Sequence, residues 1–109
     1  MTDKTELAQL RRTGAIGNLS SGMEGIKITL MVQDLPKMTR VDLRKALTER
    51  FALVAKDIST LGGEVDLKSI SVAAKTTNAI LPIDNYQDIV RALEKQKIRV
   101  DVSREYLLT

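Results

Sequence analysis

An α+β fold with the order strand, helix, strand, strand, helix, strand is predicted for this chain, and three patterns predict it. Residues 26–33 alternate strictly between apolar and polar side chains. Residues 43–61 repeat apolar side chains at spacings of four and three. Two short apolar runs at 70–74 and 79–83 flank the polar "KTT", which is the pattern of a hairpin.

The first strand places Ile26, Ile28, Leu30 and Val32 on one face and Lys27, Thr29, Met31 and Gln33 on the other. Pro36 interrupts the strand, and Thr39 followed by Asp42 is a capping arrangement that starts a helix. Leu43, Leu47, Phe51, Val54, Ile58 and Leu61 then form one apolar stripe that Gly62 and Gly63 end. Residues 39–61 read as one helix, with two that break near Ala52 as the alternative. A stripe at this spacing is core packing.

Ile70, Val72 and Ala74 make the next strand, and Ala79, Leu81 and Ile83 its hairpin partner, with Pro82 requiring that this strand lie at an edge or stop there. Asp84 with Gln87 is a second capping pattern, ahead of a helix with Tyr86, Ile89, Val90 and Leu93 inward. Ile98, Val100 and Val102 close the pattern inward, with Arg99, Asp101 and Ser103 outward. Leu30, Leu47, Phe51, Val72, Leu81, Val90, Leu93 and Val100 are the expected core.

This order is the ferredoxin-like βαββαβ arrangement, a four-stranded antiparallel sheet with both helices on one face and here an extended first helix region. The other face is left open for a partner. It is expected to present Lys27, Thr29, Met31, Ser71, Ala73, Ile80, Arg99 and Asp101 as candidate binding residues, together with Ser69, Asn78 and Ser103. Met31, Ala73 and Ile80 give it an apolar centre, and Arg99 and Asp101 offer opposite charges for pairing across a two-fold interface.

With 109 residues, 43% hydrophobic and 28% charged, the chain has the size and proportions of one globular domain. Residues 26–109 are expected to form it. Residues 1–25 read as a flexible tail, because "TGAIGNLSSGMEG" holds four of the six glycines without a period and "DKTELAQLRR" is too short for a stable helix alone. "GNLSSGMEG" lacks the lysine of a phosphate loop and precedes a strand where such a loop follows one.

The chain contains no cysteine and no histidine, which removes disulfides, thiol chemistry, the usual metal ligands and the neutral-pH base. The carboxylates show no acid and base spacing, so no catalytic residue, metal ligand or cofactor is expected and the chain reads as non-enzymatic. No apolar run reaches the roughly 18 residues of a membrane span and the first residues lack a signal-peptide core, so a cytoplasmic protein with no membrane partner is expected. The net charge is only +3, and its mixed signs read as solvated surface.

"LVAKDISTLGGEVDLKSISV" resembles the helix, glycine turn and second strand of ACT regulatory domains, and "TTNAILPIDNYQDIVRAL" resembles their third strand and second helix. The resemblance covers roughly residues 26–103. It implies a binding module that pairs through sheets or helices as a homo-oligomer or on a protein partner, and that responds to a small molecule. The family's Asp-x-Pro-Gly turn is approximated by Asp34, Leu35, Pro36 and Lys37. "DLRKALTERFAL" and "NAILPIDNYQDIVRAL…IRVDVS" are also similar to the C-terminal RNA-binding domain of bacterial DEAD-box helicases, which implies the same topology with RNA as partner. That alternative finds Thr29, Met31, Asn78 and Ile80 where stacking aromatics are common. A structural or assembly protein with an N-terminal arm is the third reading.

Overall fold

A computed structural model of the protein describes residues 16–102. The elements are β1 (Ile16–Asn18), β2 (Glu24–Val32), α1 (Arg40–Thr60), β3 (Glu64–Ser71), β4 (Thr76–Pro82), a 3₁₀ turn (Ile83–Asn85), α2 (Tyr86–Lys95) and β5 (Ile98–Val102). All strand pairs are antiparallel, and the sheet has five strands where the pattern predicts four.

β2 is the centre. It pairs along one side with β4, from Gly25 opposite Pro82 to Met31 opposite Thr76. Its other side is shared by two strands, β1 opposite residues 24–26 and β5 opposite residues 28–32. β3 lies outside β4. The additional strand comes from residues 16–25, which the glycine content had assigned to the tail. They form a hairpin with β2, turned at Gly22 (φ +90) and closed by Leu19, which donates to the Met23 carbonyl oxygen at 2.8 Å and is itself buried. The rest of the expected tail, residues 1–15, and the outward placement of Ser103 lie outside the described residues.

One core joins the sheet and both helices: Ile26, Ile28, Leu30, Val32, Ala79 and Leu81 from the strands, Leu47, Phe51, Val54 and Ile58 from α1, and Tyr86, Ile89 and Leu93 from α2. Residues 40–60 are a single helix. Thr39 accepts at Oγ1 from the Asp42 amide at 3.2 Å, the expected cap. The stripe is buried only over its middle. Leu43 is half-buried, and Leu61 is 47% exposed because the chain leaves the helix at that residue. Val90 and Val100 pack against the core half-buried, while the other expected core residues are buried.

Two further expectations are corrected. Asp84 does not cap α2: it lies in the 3₁₀ turn, and Asn85 takes the cap position without a side-chain bond. The strand expected to run to Ala74 ends at Ser71, and residues 72–75 are a turn, so Ala73 is an exposed turn residue and no part of the open face. Pro82 ends β4, as its missing donor requires.

β3 is interrupted. Asp66 pairs with Asn78 and Ser71 with Thr76, so the chain bulges between them. Side chains replace the missing ladder bonds. Ser69 Oγ donates to the Asp66 carbonyl oxygen (2.8 Å) and accepts from the Asn78 amide (3.2 Å), and the Asp66 carboxylate accepts from the Lys68 amide (3.0 Å). No helix among the described residues is long and apolar enough to cross a membrane.

Candidate functional site

The strand registers order the uncovered face into three rows. Lys27, Ile80 and Glu64 lie side by side across β2, β4 and β3. Asp101, Thr29, Asn78 and Asp66 form the second row, with Thr29 Oγ1 and Asn78 Oδ1 3.5 Å apart. Arg99, Met31, Thr76 and Ser71 form the third. Lys27, Thr29, Met31, Ser71 and Ile80 are half-buried, and Arg99 and Asp101 are exposed.

Seven of the eight candidate residues therefore share one surface, and Ala73 is apart from it. Arg99 and Asp101 already face each other within the chain, Nε to Oδ1 at 3.4 Å. An exposed pair of this kind contributes less than about 1 kcal/mol.

Between the first two rows lies a cavity of about 380 Å³, lined by Lys27, Glu64, Asp66, Asn78 and Ile80 and floored by Ile28, Val65 and Ala79. Its chemistry is one ammonium group, two carboxylates and an amide around the Ile80 side chain, over the sheet backbone. Glu64 Oε2 also accepts from the Ser20 amide at 2.8 Å, which ties the β1–β2 turn to the start of β3. Glu64 and Asp66 were missed in the sequence, although "EVD" continues the alternation with Val65 inward and both acids outward.

Ile80 is held in place by absent side chains. A Cβ on Gly25 would collide with the Ile80 Cγ2 methyl and lie 2.9 Å from the Leu81 carbonyl oxygen, and one on Gly17 would lie 3.1 Å from the Lys27 stem. The glycines of the hairpin thus let Ile80 and Lys27 lie flat over β1 and β2. A second hollow of about 610 Å³ lies at the end of the sheet, between Leu19, Met23, Gly63 and Pro82. Asn85 lines it, and its Oδ1 is buried without a hydrogen-bond partner.

No group of three or more metal-ligating side chains converges among the described residues. No protein-family model, curated protein or solved structure matches this chain.

Proposed function

We propose that this chain is a non-enzymatic, ACT-like binding module that acts by self-association through the open face of its sheet. The reading takes β5, β2, β4 and β3 as a ferredoxin-like core and β1 as an addition to its edge. The observation that carries it is that face: Met31 and Ile80 stand half-buried on its two central strands, on either side of the Thr29–Asn78 row, while both lateral edges are poorly suited to strand addition. The β3 edge is broken by its bulge, and the opposite edge is divided between two strands of three and five residues. A partner that meets the sheet therefore meets its face, and a second copy offers the same patch under a two-fold axis. The cavity beside Ile80 gives a small amphipathic molecule a place at that contact.

The test is mass by light scattering across micromolar concentrations, for the parent chain and for Met31→Lys combined with Ile80→Lys. The parent is expected to form dimers that persist in high salt, and the double variant to remain monomeric. A parent that is monomeric throughout overturns the reading. A dimer indifferent to both lysines overturns the face as its site.

A further inference from the structure

Charge is segregated along the strand axis. Where β2 ends, the loop 33–39, the start of α1, the turn 72–75 and the end of α2 bring together Lys37, Arg40, Arg44, Lys45, Lys75, Lys95 and Lys97, tempered by Asp42 and Glu94, while Asp34 is paired with Arg50 at 3.2 Å. At the opposite end, where α1 runs into β3 and β4 into α2, lie Glu24, Asp57, Glu64, Asp84 and Asp88 against Lys27, Lys56 and Arg91.

Two observations separate this placement from the needs of folding. A helix favours acids at its N-terminus and bases at its C-terminus. α2 obeys, with Asp88 in its first turn and Lys95 in its last. α1 runs the other way along the sheet and breaks the rule: Arg40, Arg44 and Lys45 occupy its first two turns against Asp42, and its last turn holds Asp57 and no base. Two antiparallel helices are thus basic at the same end of the molecule, which local helix electrostatics alone would not produce.

The second observation is backbone conformation. Lys75 (φ 59°) and Lys97 (φ 65°) are the non-glycine residues with positive φ among the described residues, in a region that favours glycine. Their carbonyl oxygens accept from the Val32 amide (3.1 Å) and the Gln33 amide (3.4 Å), so the two turns set a lysine on either side of the end of β2. Lysine occupies both positions against the backbone preference.

The geometry points to the two ends as the halves of one contact: the basic end of one copy seats on the acidic end of a second copy, and chains stack head to tail. Such a contact is heterologous, so it propagates into a ring or a filament. Nucleic acid would use the basic end only; a second copy uses both, and both are present on one chain. This contact is independent of the sheet-face contact and does not require it.

Mass is measured by sedimentation at about 0.01 M and about 1 M salt, where the screening length falls from about 30 Å to about 3 Å. The parent is expected to grow with concentration beyond a dimer at low salt and to lose that growth at high salt. Lys37→Glu, Lys75→Glu, Lys95→Glu and Lys97→Glu together make both ends acidic, and Asp57→Lys with Asp84→Lys makes both basic. Neither variant alone is expected to grow, and an equimolar mixture of the two is expected to regain it. Lys75→Gly with Lys97→Gly removes the charges while relieving the backbone, so its lost growth cannot be ascribed to unfolding. A parent whose mass ignores salt, or a mixture that stays as small as its components, overturns the proposal. A parent that keeps one mass at both salts and is retained by single-stranded RNA overturns it in favour of nucleic acid at the basic end.

Discussion

The Thr77 hydroxyl, 1% exposed, donates to the Asp66 carbonyl oxygen at 2.7 Å across the interrupted pairing of β3 and β4. Ser69 Oγ donates to the same oxygen and stands 3.3 Å from Thr77 Oγ1. Two hydroxyls and one carbonyl therefore do locally what a continuous ladder does elsewhere. Thr77→Val keeps the shape and removes the donor, and is expected to lower stability by about 1 kcal/mol in urea unfolding. Ser69→Ala should cost a similar amount, and the double variant less than the sum, because both bonds end on one oxygen.

Phe51 and Leu61 belong to the same sequence stripe but meet different surroundings. Phe51→Ala empties a fully buried site and is expected to cost about 3–5 kcal/mol. Leu61→Ala, at a half-exposed helix end, should stay within about 1 kcal/mol. Chemical denaturation of the two variants side by side checks the contrast, and equal losses would contradict the burial described here.

Gly25 and Gly63 are places where a methyl group does not fit. Gly25→Ala meets Ile80 and the Leu81 carbonyl oxygen, and Gly63→Ala meets Ile58 Cγ2 at 2.6 Å. Each is expected to cost about 1–3 kcal/mol through overpacking. Gly22, with open space around it but a φ of +90°, should lose about 1 kcal/mol on substitution by alanine for conformational reasons alone. Thermal unfolding of the three variants distinguishes the two causes, since a smaller neighbour at position 80 should rescue Gly25→Ala in part, the Leu81 carbonyl oxygen remaining, and leave Gly22→Ala unchanged.

Lys75→Gly and Lys97→Gly are each expected to stabilise the fold by up to about 1 kcal/mol, since glycine accepts the left-handed backbone that lysine tolerates at a cost. The gain should appear as a raised unfolding midpoint with an unchanged denaturant slope.

The sequence makes some of this plain and hides the rest for physical reasons. Burial on one side leaves a period, so the alternation of β2 and the stripe from Leu47 to Ile58 were readable and locate the centre of the core. A bulge shifts the period: Val65 and Leu67 are two apart but Ile70 follows Leu67 by three, and the pairing with β4 shows that the extra residues lie there. The strand at Ile16–Asn18 was hidden by its glycines, which signal turns in isolation and here serve the close approach of Ile80 and Lys27. Of the open face, the positions on β2, β4 and β5 were readable, while Ala73, the β3 acids and the couplings were not. Arg99 and Asp101 look like two free charges in the sequence and are partners in the fold, while Glu64 and Asp66 became part of the cavity wall through the register of β3 against β4.

The division of one flank of β2 between β1 and β5 bears on how the chain emerges from the ribosome. Ile28 and Leu30 find their partners Val102 and Val100 only when almost all of the described chain has been made, and their β4 partners not much earlier. Such distant pairings form slowly, and an apolar strand waiting for them is prone to join its neighbours. The backbone pairing of the β1–β2 hairpin involves no later residue, and only its ties to Glu64 and Ile80 wait for β3 and β4. A hairpin alone is marginal, but it is the first pairing open to residues 24–26 once they leave the exit tunnel, so one side of β2 has a local partner to sample before its distant ones exist.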